Sequence, residues 1–215
     1  MQADYQKLQY INTLFGTEDE LLEKVRQSAP KHLRHMQLSK SELQLLSVII
    51  KISGAEQILE IGTFVGASTI GIAQILPRGG VVHTIEKSEN FFAIAKQNFE
   101  NTQMLGNKIV PQRADALDAL RDMDLRNIDA IFIDAAKAEY PAYLNAVYQK
   151  LRSRALIIAD NTLLFDAVWN DKQNDKKCKK MRAAMREFNT MLSDRSLFEP
   201  AFIPTDSGMT IGIKK

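Results

Sequence analysis

A single cysteine, Cys178, stands in the 215 residues, so no internal disulfide can form and nothing calls for an oxidising compartment. Neither charge dominates. The chain carries 28 lysines and arginines against 26 aspartates and glutamates, a formal +2, so composition alone demands neither a nucleic acid nor an anionic membrane surface. No apolar run approaches the roughly 20 residues of a membrane span. The opening stretch MQADYQKLQY is polar and lacks the apolar core of a secretory signal. A cytoplasmic protein with no membrane partner is expected. With no internal repeat and no low-complexity linker, the function has to be sought in local sites.

The hydrophobic share of 45% over this length suffices for one sizeable core and is too short for two ordinary domains. We therefore expect a single domain, 1–215. From Thr17 to Ala29, Leu21, Leu22 and Val25 recur at helical spacing behind an acidic start, which suits the positive end of a helix. Ser39 and Glu42 read as a capping box ahead of Leu43, Leu45, Leu46, Val48 and Ile49, and so predict a second helix packed on the core.

After Gly54 short apolar runs alternate with longer amphipathic stretches. The runs Gln57–Ile61, Gly80–Ile85, Lys108–Pro111, Ile128–Ile133 and Ala155–Ala159 read as buried parallel strands. Helices are expected near Ala67–Ile75, Ser88–Gln103, Ala116–Arg121, Tyr140–Lys150 and Lys176–Leu192. Phe198–Ile203 and Met209–Ile213, separated by the turn-rich Thr205–Gly208, predict a closing antiparallel hairpin. The fold class is α/β: a doubly wound, mostly parallel seven-stranded sheet with helices on both faces. Asn170–Lys180 reads as a charged loop.

Open α/β sheets bind ligands beyond the carboxyl ends of their strands. At the end of the first strand stands Glu60, and beyond it Gly62, Thr63, Gly66 and Ser68. The two glycines permit a tight turn and close approach of backbone to a ligand, although the same pair fits a plain structural turn. Thr63 to Val65 offer no second glycine, so this is not the dinucleotide fingerprint. An acidic residue followed by the glycines instead suits a ligand with a cationic or amino-acid group. Glu86 ends the second strand about twenty residues on, where a carboxylate can accept two ribose hydroxyls or simply begin a helix. Asp115, before Ala116, is placed to meet an adenine or to cap a helix.

The fourth and fifth strands end in Asp134 and in Asp160-Asn161. If these strands are neighbours, two carboxylates and an amide converge, a hard oxygen set suited to Mg²⁺, with Mn²⁺ or Ca²⁺ also fitting. Asp160-Asn161 alone equally makes a turn. Lys137 is a solvated lysine or, beside a divalent cation that disfavours its ammonium, a base.

These stretches together resemble the cation-dependent class I S-adenosylmethionine O-methyltransferases of the catechol and caffeoyl-CoA type. The likeness runs from about Met36 to the C-terminus, on Met36-Gln37-Leu38, Leu59–Ser68, Thr84-Ile85-Glu86, Asp134–Tyr140 and Asp160-Asn161. It implies a Rossmann-like methyltransferase fold in which residues 1–53 cover the site and 54–215 form the sheet core. By this resemblance Met36, Leu38, Glu60, Gly62, Thr63 and Ser68 hold the methionine part of S-adenosylmethionine, Glu86 its ribose, and Asp115 with Ala116 its adenine. Asp134 serves cofactor and metal, Asp160 and Asn161 complete the metal site, and Lys137 is the base. A homodimer is implied too.

A small hydroxylated aromatic is the expected acceptor, because vicinal hydroxyls chelate a metal. Its choice should depend on the segment from Leu163 to Lys180, on the N-terminal helix and on the last hairpin turn, with Trp169 a candidate aromatic wall. The alternative acceptor is a hydroxyuridine of tRNA, met by the basic run Lys172, Lys176, Lys177, Lys179, Lys180, Arg182 and Arg186 through its phosphates; such a run also fits a solvated helix face. Methylation of a protein, or a non-catalytic cofactor-binding module, completes the alternatives.

Overall fold

Apolar runs buried on both faces dictate the centre of the molecule. The computed structural model describes residues 2–102, 105, 108–169 and 176–215. Its strands are β1 (Gln57–Ile61), β2 (Val81–Glu86), β3 (Ile109–Arg113), β4 (Ala130–Ile133), β5 (Leu156–Asp160), β6 (Phe198–Ile203) and β7 (Met209–Lys214). They form one sheet in the order β3-β2-β1-β4-β5-β7-β6. β1 to β5 pair in parallel, and β7 runs antiparallel to both β5 and β6. Every residue of β4 and β5 is buried, as a parallel sheet covered on both faces requires.

The helices are α1 (Gln2–Phe15), α2 (Glu20–Ser28), α3 (Lys40–Ser53), α4 (Ala67–Ile75), α5 (Glu89–Glu100), α6 (Ala116–Asp122), α7 (Tyr140–Tyr148) and α8 (Lys176–Leu192). Leu46 and Ile50 of α3, Ile70 of α4 and Phe99 of α5 pack on one face of the sheet with Ile58 and Ile158. Leu120 of α6, Tyr140 and Leu144 of α7 and Phe188 of α8 pack on the other with Leu59, Ile131 and Ile157. The doubly wound expectation is met.

Local signals set several boundaries. Ser39 caps α3 by accepting from Glu42 N, while the Glu42 carboxylate accepts from Ser39 N, the two halves of the capping box. β1, α4, α8 and β6 run as expected. α2 starts three residues after Thr17, because Asp19 supplies the cap through its carboxylate and Leu22 N, as a short acidic side chain does well. α1 was not anticipated; it has no strong apolar periodicity of its own and lies against α3. Residues 176–180, which fit both the charged loop and the helix expected from Lys176, belong to α8, and 170–175 lie outside the described residues. No described helix is long and apolar enough to cross a membrane.

The parallel register aligns the strand ends. Ile61 pairs with Ile85 and Ile133, and Ile133 with Ala159. Residues just past these partners therefore meet at one edge of the sheet.

Candidate active site

A cavity of about 1720 Å³ opens at that edge, more than the roughly 300–1,000 Å³ that one small ligand needs. Of the residues singled out from the sequence, Met36, Leu38, Gly62, Thr63, Ser68, Glu86, Ala116, Asp134, Lys137, Asp160 and Asn161 line it. Glu60 and Asp115 do not. Residues of the expected cofactor half and of the expected metal half thus line one cavity.

The glycine turn is shaped by close backbone contact. Gly62 has φ +102, and a Cβ there would lie 2.1 Å from the Asp134 carbonyl oxygen. Gly62 N donates to Ile85 O, and Asp134 N to Ile61 O, so the turn is clamped between the ends of β2 and β4. Behind it, Glu60 is fully buried. Ser68 Oγ and Thr84 Oγ1 each donate to its carboxylate at 2.6 Å, and Thr69 Oγ1 donates as well. Thr63 Oγ1 lies 2.5 Å from Thr84 Oγ1; since Thr84 gives its proton to Glu60, Thr63 is the donor. Glu60 therefore orders the loop from behind the cavity.

Burial pushes the Glu60 carboxyl from 4.5 up to about 7, against three hydroxyls that favour the charged form. A raised acid binds its proton more tightly folded than unfolded, so stability falls as pH rises from about 4.5 to about 7 and stays reduced above that. Glu60→Gln should remove this dependence. At about 1.4 kcal/mol per pKa unit, the variant should gain on the order of 3 kcal/mol relative to wild type between pH 4 and pH 8. Thermal melts of the cofactor-free proteins at both pH values check this; a parallel shift of the two proteins would contradict it.

The Glu86 carboxylate is fixed by Phe64 N and Ser88 N, each at 2.8 Å. Asp115 caps α6 through Leu117 N and pairs with Lys87 Nζ at 2.5 Å. The Lys87 ammonium holds its carboxyl below the usual range, so its cap role is realised while Ala114 and Ala116 face the cavity. Met36 to Leu38 are held over the opening by Arg26, which donates to Leu38 O at 2.7 Å and pairs with Glu18.

In the other half Lys137 Nζ donates to Asp134 Oδ1 at 2.7 Å and to the Tyr140 hydroxyl at 2.8 Å. Burial opposes the ammonium, but the Asp134 carboxylate and Tyr140 outweigh it, and the Lys137 pKa is held above its ordinary value. Asp160 is 1% exposed. It accepts from Ser207 Oγ at 3.0 Å and from Asn161 Nδ2 at 2.9 Å. Burial, then the nearby carboxylates of Asp134 and Glu42, raise its pKa. Among the described residues no three His, Cys, Asp or Glu side chains gather as a ligating group; the candidate set has two carboxylates and an amide.

Trp169 corrects the expectation of an aromatic wall: it is 59% exposed and does not line the cavity, whereas Phe165 does. Leu163, Asp166, the hairpin turn Pro204 to Ser207, and Ile11, Leu14 and Phe15 of α1 line this half too. The basic run is not one solvated face, since Arg182 is buried and Arg186 Nε donates to Val168 O. Lys172 and the Lys177 side chain lie outside the described residues. Two contributors escaped the sequence reading, Glu42 behind its capping role and Tyr140. The spacing Asp134-x-x-Lys137-x-x-Tyr140 was the available signal for the latter.

Comparison with known proteins shows which family the chain resembles. A family model described as O-methyltransferase matches residues 13–215. A catechol O-methyltransferase of Niastella koreensis is 28% identical, with 96% of this chain and 95% of that protein covered. A caffeoyl-CoA O-methyltransferase of Populus kitakamiensis is 26% identical, covering 94% and 89%. Among solved structures, the O-methyltransferase from Bacillus cereus in complex with SAH superposes with a TM-score of 0.85 at 30% identity, covering 96% of each chain.

Proposed function

Since the chain belongs to the O-methyltransferase family, matching it over residues 13–215, we propose that it moves a methyl group from S-adenosylmethionine to a hydroxyl of a small catechol-like phenol. One observation carries this reading: Asp134, Lys137, Asp160 and Asn161 converge on the wall of a cavity roomy enough for two ligands. The SAH in the Bacillus cereus relative supports the choice of cofactor.

The cofactor half does the binding. Glu86, its carboxylate fixed by two backbone N–H groups, accepts from the ribose hydroxyls. Gly62, Thr63 and Ser68 would hold the methionine part together with Met36 and Leu38, Glu60 keeping Ser68 and the threonines in place. Ala116 would meet the adenine, and Asp115 holds the start of α6 through its cap. Bound S-adenosylmethionine supplies a methyl on a cationic sulfur that departs as a neutral thioether.

Asp134, Asp160 and Asn161 would hold the divalent cation, Mg²⁺ suiting this hard oxygen set best and Mn²⁺ or Ca²⁺ also fitting. The donor chemistry fits: Asp160 is buried beside the carboxylates of Asp134 and Glu42, an accumulation of negative charge that a cation relieves. The ion would supply positive charge that lowers the pKa of a chelated hydroxyl. Beside Asp134 alone Lys137 is an ammonium; a cation held by Asp134 and Asp160 would disfavour that charge, and the neutral amine would then take the hydroxyl's proton as the oxygen bonds to the methyl carbon, in a cavity that confines the two reactants.

Phe165, Leu163 and Phe15 offer apolar surface to a flat ring, and Glu42, Asp166 and Asp206 also line the cavity. That acidic lining disfavours a phosphate-rich acceptor, and with Arg182 buried the tRNA alternative loses part of its basic surface.

The test is titration calorimetry with S-adenosylmethionine, then turnover of catechol with Mg²⁺ and with chelator, in wild type and Asp160→Ala. Binding of the cofactor and a turnover that falls at least about tenfold with chelator and in Asp160→Ala are expected. Turnover indifferent to both would remove the metal from the mechanism, and failure to bind the cofactor would overturn the whole reading.

A further inference from the structure

Tyr140 is fully buried, yet its hydroxyl makes three polar contacts. It accepts from Lys137 Nζ at 2.8 Å and faces two backbone oxygens, Ile133 O and Asp160 O, each at 3.1 Å. A phenol has one proton. Both oxygens are acceptors only, so that proton is committed to the strand ends and a lone pair is left facing Lys137. The ring is fixed independently by its edge-on contact with Phe188, centroids 5.2 Å apart.

We propose that Tyr140 is a positioning residue for the methyl transfer, its hydroxyl holding the Lys137 amine at the mouth of the site while joining the ends of β4 and β5. This rests on the reading of Lys137 as the base. A lysine side chain has a flexible four-carbon stem, and tethering it limits the positions its nitrogen samples. Asp134 Oδ1 and the Tyr140 hydroxyl take two of the nitrogen's tetrahedral directions. Among the described residues Lys137 donates no third hydrogen bond, and Lys137 lines the cavity. The nitrogen's third position is thereby left for the acceptor, and the tether limits where that position can be.

The same hydroxyl reports on the metal half. Ile133 immediately precedes Asp134, and Asp160 is itself in the candidate set. A single O–H facing both carbonyls bridges the two strand ends. The sequence alone does not show this: Tyr140 lies three residues beyond Lys137, and only the pairing of β4 with β5 brings Asp160 O to it.

Two measurements decide the proposal. In ¹⁵N-lysine-labelled protein, a slowly exchanging ammonium signal, assigned by its loss in Lys137→Ala, should be present in wild type and be lost or broadened in Tyr140→Phe, which keeps the ring. Its absence from wild type, or its persistence unchanged in Tyr140→Phe, would overturn the tether. In catechol turnover with Mg²⁺ at saturating S-adenosylmethionine, Tyr140→Phe should lower kcat about 10- to 100-fold with cofactor affinity unchanged. It should have little further effect in a Lys137→Ala background, because an effect exerted through Lys137 vanishes with it. An equal loss in both backgrounds would mark a purely structural role and sink the inference. Wild-type turnover in Lys137→Ala would instead bring down the base assignment itself, so the two failures are told apart.

Discussion

Lys137→Ala should lower turnover by roughly 10²- to 10⁴-fold, the usual contribution of a positioned proton acceptor, while leaving S-adenosylmethionine affinity nearly unchanged. The reason is spatial. Lys137 lies on the acceptor side of Asp134, hydrogen-bonded to it at 2.7 Å, and none of the groups proposed to hold the ribose or adenine touches it. Removing the amine leaves the acceptor hydroxyl without a local destination for its proton. The Asp134 carboxylate also loses its paired cation. Cofactor calorimetry and single-turnover methyl transfer at saturating cofactor separate the two effects. A variant that binds the cofactor and transfers methyl at the wild-type rate would leave Lys137 as a structural counter-ion only.

Gly62→Ala should abolish cofactor binding and destabilise the protein by at least about 3 kcal/mol, or roughly 6–12 °C in Tm for a domain of this size. Two costs add. The backbone conformation at φ +102 is one L residues rarely adopt. The new Cβ would also lie 2.1 Å from the Asp134 carbonyl oxygen, 2.7 Å from its carbon and 3.2 Å from Ala135 Cα. All three are backbone atoms, so relief requires the ends of β1 and β4 to part. That movement displaces Asp134, which belongs to both halves of the site. Gly66→Ala provides the contrast: its Cβ would meet the Phe99 ring at 2.5 Å, a side chain able to turn, so a smaller loss is expected despite the positive φ. Melting curves and calorimetry on both variants check the order, and equal losses would show that the clash at Asp134 O is not what matters.

Much of the cofactor half was legible because its residues are local to one strand and its turn. Glu60, Gly62, Thr63 and Ser68 lie within nine residues, and an apolar run ending in glycine has few ways to fold. Even so, their division of labour was not. The sequence placed Glu60 on the ligand, whereas burial puts it behind the loop, holding Ser68, Thr69 and Thr84. Asp115 suits an adenine contact or a helix cap equally well in sequence, and the structure shows the cap together with an ion pair to Lys87. In the acceptor half, Trp169 drew attention by its chemistry, but the chain after β5 turns through Leu164, Phe165 and Asp166 at positive φ and puts Phe165 on the cavity.

By itself the sequence determined the order and spacing of the strands, the capping of α3 by Ser39 and Glu42, and the carboxylates, amide and lysine that end β4 and β5, because apolar periodicity, caps and turn residues act over a few positions. Only the tertiary structure decided that those ends are neighbours, that Tyr140 spans them, and that Glu42 lies near Asp160 as well as capping its helix. It also decided that α1 is a helix at all. These depend on strand pairing and on contacts between residues tens of positions apart, which are selected by the packing of the whole core and leave no periodic trace in the chain.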